Sequence, residues 1–253
     1  MTIDPVVIAA YARTPMGGMQ GALSSVPATK LGSIAIKAAV ERAGVSLDAI
    51  DQVIMSCVWP GALDQAPARQ ASIGVGLPLS TGARTINKVC GSGMKATMMP
   101  AEAIIGGTSD IVMAGGMESM TNAPCMLTKH RSGARLGHDS LKDSMFLDGL
   151  EDAYEPGRAM GSFAEETCTE YQFTREQQDE YALRSLSRAK DAITSGAFTR
   201  EIVAVEVAGR SGVTVIDTDE QPGNAKPEKI PTLKPAFAKD GTITAANASS
   251  ISD

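Results

Sequence analysis

The first 120 residues alternate between short apolar runs and longer stretches with helical periodicity, and this alternation restricts the fold more than any other feature of the sequence. The runs at 5–12, 50–60 and 109–119 have the length of buried strands. Residues 30–44 place their apolar side chains on one helical face and end at a glycine, a typical helix stop. This order predicts an α/β domain with helices packed on a mixed or parallel sheet. The other elements predicted here are two helices and a short strand, at 68–78, 91–107 and 84–89.

The regular alternation of strand and helix patterns ends after residue 120. Residues 121–157 are rich in loop-forming residues and show only a weak helical stretch. Two helices follow, and Thr174 with Gln177 has the spacing of a capping box. Beyond them the sequence predicts a hairpin and then a proline-rich extended segment. These four elements are predicted at 157–173, 174–198, 201–219 (with its turn at Gly209 and Ser211–Gly212) and 220–235.

Composition excludes several classes of protein. A net charge of −6 argues against nucleic acid or an anionic membrane as the main partner. The four cysteines lie far apart and only two histidines are present, which predicts no metal site and no disulfide framework, and therefore a cytoplasmic location. The apolar run at 5–12 is too short to span a membrane, and the start of the chain lacks the pattern of a secretion signal.

The stretch INKVCGSGMKA at 86–96 places Cys90 where a strand leads into a helix. A thiolate is a better nucleophile than a thiol, and the N–H groups at the start of a helix favour the anion. Gly91 and Gly93 permit a tight turn and the close approach of a ligand, while Ser92 can hydrogen-bond locally. Backbone N–H groups at this corner are also suited to hold an oxyanion. The pattern indicates either a nucleophile on a strand-to-helix corner or a buried structural cysteine.

Other reactive residue types have simpler interpretations. Cys57 lies inside an apolar strand and is predicted to be a core residue, and Cys168 is predicted to pack inside a helix. Cys125 falls in a loop, and His138 beside Asp139 is typical of a surface residue. Two polar residues after the strand at 109–119 either line a site or begin a turn: Glu118 and Asn122.

Several motifs in a fixed order resemble the thiolase family, and most closely its bacterial acetyl-CoA C-acetyltransferases. They are NKVCGSGMKA, AGGMESM, MGSFAEE, REQQDEYALRS, LKPAF and GTITAANASSISD. The likeness runs from VVIAAYARTPMG to the last residue. It implies a thiolase-like fold, with residues 1–120 as the N-terminal core, 121–243 as a loop domain that binds coenzyme A, and 244–253 as a segment returning to the core.

The resemblance also implies a reaction. Thiolases transfer an acyl group from acyl-CoA to the cysteine of the N-x-x-C-x-S-G motif, here Cys90. A second acetyl-CoA then attacks to form acetoacetyl-CoA, or a 3-ketoacyl-CoA is cleaved in reverse by thiolysis. The matching substrate contacts are Met160 of the M-G motif, in the pocket, and Ser249 of the N-A-S motif, at the pantetheine arm. No metal or redox cofactor is implied, since coenzyme A thioesters are the substrates.

The sequence departs from the family pattern at two places near the expected coenzyme A contacts. Ala159 stands where some biosynthetic members have histidine, and Pro222–Gly223 stands where some have arginine. These differences predict an altered set of coenzyme A contacts.

A larger departure concerns the second core domain, which carries a histidine that activates the nucleophile and a second cysteine that acts as acid and base. Neither motif is present in this sequence. We therefore expect a partner chain to supply the closing strand of the core sheet, the histidine and the second cysteine, in a hetero-oligomer. Without that strand, a monomer is expected to be poorly stable.

Two other hypotheses remain open at this stage. In one, the chain is a truncated thiolase that binds coenzyme A or assembles with other chains without catalysis. In the other, it is a separate acyltransferase or hydrolase that uses His138 as its base.

Overall fold

The computed structural model describes residues 5–133, 135–210 and 212–253. Its central sheet has three strands in the order β2-β1-β3, and both pairs are parallel. Of the two sheet types expected, the parallel one is therefore found. The strands of this sheet are β1 (Gln52–Ser56), β2 (Gly82–Ile86) and β3 (Val112–Gly116).

Helices cover both faces of this sheet. Val53, Met55 and Cys57 point to one face of β1 and form a buried cluster with residues of the first two helices. The third helix contacts β1 and β3 but contributes no residue to that cluster, so it lies on the opposite face, where Ile54 is fully buried. The three helices are α1 (Ala28–Ala43), α2 (Pro67–Val75) and α3 (Ser92–Ile105).

The rest of the described chain follows the second half of the prediction in part. The capping box is confirmed, because Thr174 and Gln177 exchange side-chain to backbone hydrogen bonds. The hairpin is also confirmed, although Ser211 of its predicted turn lies outside the described residues. The elements are β4 (Cys125–Met126), β5 (Lys142–Asp143), a π-helical turn (Phe146–Leu150), α4 (Met160–Glu170), α5 (Arg175–Ser195), β6 (Val205–Gly209), β7 (Gly212–Ile216) and α6 (Glu220–Asn224).

The proline-rich segment at 220–235 is not simply extended as predicted. It contains α6 and a 3₁₀ helix at Pro227–Thr232. Pro222 and Pro227 lie in the first turns of these helices, where a missing N–H would have no partner in any case, and Pro231 lies inside the 3₁₀ helix. The prediction missed this because it treated the prolines only as helix breakers.

The buried strand predicted at 5–12 is also wrong. These residues form no ladder with another strand, and Val7 and Ile8 are 73% and 79% exposed. Within the described parts of the chain, the only backbone group of this segment with a hydrogen bond is the Tyr11 carbonyl, which accepts from Arg42. The apolar pattern is that of a strand, but the described residues provide no partner strand for it.

Strong contacts fix the chain immediately after this segment. The Arg13 guanidinium binds Asp219 through two hydrogen bonds of 2.7 and 3.0 Å and Glu201 at 2.6 Å. Gly17 and Asp253 exchange two backbone hydrogen bonds of 2.9 Å, as an antiparallel pair does. Residues 5–12 are therefore attached to a part of the chain that these hydrogen bonds hold firmly in place.

No helix within the described ranges is long and apolar enough to cross a membrane. The predicted domain boundaries at residues 120 and 243 stay predictions.

Candidate active site

Cys90 lies on the corner between β2 and α3, as the sequence predicts. Strand β2 ends at Ile86, and α3 begins at Ser92 with Gly91 as its N-cap residue. The Cys90 side chain is exposed, which excludes a buried structural cysteine. An exposed thiol two residues before a helix is accessible to a substrate from solution.

The turn that carries Cys90 has an unusual backbone. Val89 has φ of +48°, in the left-handed region that β-branched residues rarely adopt. Such a conformation costs on the order of 1–3 kcal/mol and persists only where neighbouring contacts enforce it. It turns the chain sharply just before the thiol.

Two side chains of the N-x-x-C-x-S-G motif enforce this turn. The Asn87 Oδ1 atom accepts a hydrogen bond of 2.9 Å from the Val89 N–H. The Ser92 hydroxyl donates to the Val89 carbonyl at 2.6 Å and accepts from the Lys88 N–H at 2.7 Å. The asparagine and serine of the motif thus stabilise the backbone of the turn, and this role does not depend on a substrate.

The backbone N–H groups near the thiol divide into two sets. Those of Gly91 and Ser92 donate to carbonyls inside the turn, at 3.0 and 3.1 Å. Those of Gly93 and Met94 make no hydrogen bond to any described residue. The N–H of Cys90 itself also makes no hydrogen bond to a described residue, so free donors lie at the thiol and three residues beyond it, while those of the two residues between are engaged.

The other three cysteines differ from Cys90. Burial and the neighbouring carboxylate of Glu118 raise the pKa of the Cys57 thiol to about 12, so Cys57 stays protonated at neutral pH. Its S–H donates to Glu118 Oε1 at 3.4 Å, and the prediction of a core cysteine is confirmed. Cys168 is half-buried in α4, and Cys125 is exposed on β4.

Met160 is the first residue of α4, and its side chain is about half exposed. The next residue, Gly161, faces the ring of Phe237 so closely that a β-carbon there would overlap the ring. The M-G motif and the LKPAF motif are therefore in direct contact. Both motifs can be seen in the sequence, but their contact through Phe237 cannot.

Glu165 of the same helix anchors the segment that leads to Ser249. Its carboxylate accepts hydrogen bonds from the Thr242 N–H at 2.9 Å, the Thr242 hydroxyl at 3.1 Å and the Ile243 N–H at 2.8 Å. The Asn247 side chain then accepts from the Thr244 N–H at 2.7 Å and donates to Asp179 at 3.0 Å. Sequence reasoning missed these roles because a motif does not show which of its members contact each other.

Ser249 is exposed, and its side chain makes no hydrogen bond to a described residue. Contacts through Phe237 and Glu165 place its segment beside the helix that begins at Met160. No hydrogen bond among the described residues joins Cys90 to Met160 or to Ser249. The structure thus links the two expected substrate contacts to each other more directly than to the thiol.

Neither histidine contacts Cys90 through a hydrogen bond. His138 is exposed, and His130 lies 3.7 Å from the Asp139 carboxylate on the loop between β4 and β5. In the described ranges, no group of three or more histidine, cysteine, aspartate or glutamate side chains is arranged to hold a metal ion. Ala159 and Pro222–Gly223, the two departures from the family pattern, lie at the start of α4 and within α6.

The contact between Gly161 and Phe237 gives a prediction. Gly161→Ala is expected to destabilise the protein by about 1–3 kcal/mol, because the new methyl group must displace the ring. Gly223→Ala is a matched control, since it also lies in a helix but its methyl group would meet open space. Urea unfolding of the two variants measures the difference. Equal midpoints for Gly161→Ala and the unmodified chain would contradict the contact.

Comparison with known proteins places these features in a family. The family described as thiolase, N-terminal domain, matches residues 6–253. Acetyl-CoA acetyltransferase 2 of Arabidopsis thaliana is 52% identical over 251 residues, which are 98% of this chain and 62% of that protein. The acetyl-CoA acetyltransferase of Schizosaccharomyces pombe is 46% identical over 255 residues, which are 100% of this chain and 64% of that protein.

A solved structure gives the same result. The crystal structure of Acat5 thiolase from Ascaris suum, in complex with coenzyme A, has a TM-score of 0.91 and 43% sequence identity, and the match covers 97% of this chain and 63% of that one. The chain therefore spans less than two thirds of the length of these relatives. Its fold, motifs and family match agree, and the chain belongs to the thiolase family, of which it contains the N-terminal domain.

Proposed function

We propose that this chain is an acyl-transfer subunit that forms acetoacetyl-CoA from two acetyl-CoA molecules, or cleaves a 3-ketoacyl-CoA by thiolysis, through an acyl intermediate on Cys90. The observation that carries the proposal is the exposed thiol on an enforced turn at the start of α3. Relatives named acetyl-CoA acetyltransferase support the choice of reaction.

In the proposed reaction, the Cys90 thiolate attacks the carbonyl carbon of acetyl-CoA. A bond forms between that carbon and the sulfur of Cys90, the bond to the coenzyme A sulfur breaks, and the departing thiolate takes up a proton. A base then removes a proton from the methyl group of a second acetyl-CoA, and the resulting carbanion attacks the acyl group. Carbon–carbon bond formation releases the Cys90 thiolate and acetoacetyl-CoA.

The substrate arm is proposed to lie against α4 and the segment after Thr242. Met160 and Ser249 are exposed and free to contact it, and Phe237 and Glu165 hold their two segments together. The reaction needs no metal or redox cofactor, because the thioester is already activated for attack by the thiolate. The name of the Ascaris suum structure, a complex with coenzyme A, supports the substrate class.

The proposed reaction needs two groups that Cys90 does not contact here: a base that activates its thiol, and an acid–base group for the α-carbon of the second acetyl-CoA. We propose that a partner chain with the second thiolase core domain supplies them, as a histidine and a cysteine, in a hetero-oligomer. The exposed position of His138 gives no support to the hypothesis that this histidine is the base.

The unpaired segment at residues 5–12 supports the same partner. Asp253 pairs with Gly17 on one side, and on its other side it accepts hydrogen bonds from Ser119 and Thr121, just after β3. Asp253 thus joins the segment after residues 5–12 to the segment after β3. We propose that an apolar strand of the partner pairs with residues 5–12, where Val7 and Ile8 are exposed and no backbone N–H makes a hydrogen bond to a described residue.

Acetylation of Cys90 tests the function. Incubation with acetyl-CoA is expected to add one acetyl group to the peptide that contains Cys90, measured by mass spectrometry, and to protect Cys90 from iodoacetamide. Absence of both effects in the assembled complex would favour the second candidate function, a non-catalytic coenzyme A-binding or assembly subunit. Native mass spectrometry of the purified complex tests for the partner, and full thiolysis by the chain alone would exclude it.

The cytoplasm is the proposed location. Support comes from the four cysteines, all of which are free thiols, as expected in a reducing compartment.

A further inference from the structure

We propose that Glu118 is a positioning residue for the nucleophile, which holds the Cys90 turn through the loop that follows β1. This inference rests on the proposed function of Cys90 and extends it to a carboxylate on a different strand.

Glu118 follows β3 by two residues, and its carboxylate is fully used in holding one loop. Its Oε2 atom accepts a hydrogen bond of 2.7 Å from the Val58 N–H. Its Oε1 atom accepts from the Trp59 N–H at 3.2 Å and from the Cys57 S–H at 3.4 Å. No lysine, arginine or histidine in the described ranges forms an ion pair with it.

This arrangement is costly for a carboxylate. Burial raises the pKa of Glu118 above its ordinary value, although the hydrogen bonds from Val58 and Trp59 act in the opposite direction. A half-buried charge without an ion-pair partner is stabilised here only by its three donors. Loss of any one donor would therefore leave the carboxylate poorly solvated. Because all three donors belong to residues 57–59, this penalty holds the loop in one conformation.

The same loop contacts the nucleophile turn. The Val58 carbonyl accepts a hydrogen bond of 3.1 Å from the Asn87 side-chain amide. The other end of that amide accepts from the Val89 N–H. Both backbone groups of Val58 are thus held, its N–H by Glu118 and its carbonyl by Asn87, and the path continues to the residue before Cys90.

The strained backbone of Val89 makes the turn depend on this path of hydrogen bonds. A left-handed valine relaxes to the extended region unless its contacts prevent it. Asn87 is itself exposed, so its amide orientation depends on the Val58 carbonyl. If Glu118 releases the loop, Asn87 loses its anchor, Val89 relaxes, and Cys90 moves away from the start of α3.

Glu118→Gln tests this directly, because it keeps the shape of the side chain but replaces one acceptor by an N–H₂ donor that faces a backbone N–H. The measurement is the rate of iodoacetamide alkylation of Cys90 relative to that of Cys125, the other exposed thiol of the same chain, by peptide mass spectrometry. We expect the ratio to fall at least about fivefold, because the turn that positions Cys90 becomes the minor conformation once Asn87 has lost its anchor. Asn87→Ala, at the other end of the path, is expected to lower it similarly.

Asp51→Asn is the matched control. The Asp51 carboxylate also accepts from two backbone N–H groups, of Asp110 at 2.7 Å and Ile111 at 3.0 Å, but at the opposite end of the sheet. Its loss is expected to lower stability and to leave the alkylation ratio unchanged.

A double-mutant cycle identifies the mechanism. If Glu118 acts through Asn87, the combined variant should lose little more reactivity than either single variant. An unchanged ratio in Glu118→Gln, an equal loss in Asp51→Asn, or fully additive losses would each overturn the inference. Alkylation requires neither coenzyme A nor a partner, so failure of acetyl-CoA to label Cys90 would count against the proposed function and not against this path.

Discussion

Replacing Cys90 with serine is expected to lower the thiolysis rate of the assembled enzyme by at least about a thousandfold. A serine hydroxyl is a much weaker nucleophile than a thiolate at neutral pH, even beside the histidine base that the partner is proposed to supply. Because Cys90 is exposed, the exchange of sulfur for oxygen should change the free energy of unfolding by less than about 0.5 kcal/mol. Loss of activity would then report chemistry and not folding.

The rate of acetoacetyl-CoA cleavage in the presence of coenzyme A is the measurement. Cys125→Ser is the control, since it makes the same change at another exposed thiol and should keep the rate within about twofold of the unmodified enzyme. A Cys90→Ser enzyme with normal thiolysis would remove Cys90 from the mechanism. Normal thiolysis in both variants with no acetylated peptide would favour a different nucleophile altogether.

The second large effect concerns assembly. Ile8→Pro is expected to weaken binding of the proposed partner chain by at least about a hundredfold, since proline removes an N–H from the segment that would pair and distorts its backbone, at a cost of about 3 kcal/mol. Ile8 is 79% exposed here, so the substitution should not disturb the core that the described residues form. The effect should therefore appear in binding and not in the folding of the isolated chain.

Two variants separate pairing from other causes. Ile8→Thr keeps the β-branched shape and the N–H and should weaken binding much less than proline does. Leu136→Pro places the same residue in the exposed loop between β4 and β5 and should leave binding unchanged. Dissociation constants of the purified chains give the comparison. Equal binding by Ile8→Pro and the unmodified chain would show that no strand pairs with residues 5–12.

Local sequence signals predicted most of the helices and strands correctly. Gly44 ends α1 in the left-handed conformation, and Thr174 with Gln177 starts α5, because both signals act within one turn of the chain. The strand at 5–12 failed for the opposite reason. A strand needs a partner that is distant in sequence, and an apolar run does not show whether that partner is available.

The candidate site was predicted to a similar extent. Cys90 on its corner followed from the order of strand, glycines and helix. The left-handed Val89 and the two side chains that hold it, Asn87 and Ser92, did not, because hydrogen bonds around a turn depend on its exact dihedral angles. The path of hydrogen bonds from Glu118 to the turn could not be predicted either, since it joins residues at the ends of three different strands.

The sequence by itself determined the family, the alternation of strand and helix, and the place of Cys90 between a strand and a helix, since motif order and periodicity are properties of the chain alone. Only the tertiary structure decided which residues hold that thiol in place and that residues 5–12 form no ladder with a described strand. Parallel strands bring together residues as far apart as Val58, Asn87 and Glu118, and hydrogen bonds between them form only after the sheet has set their register.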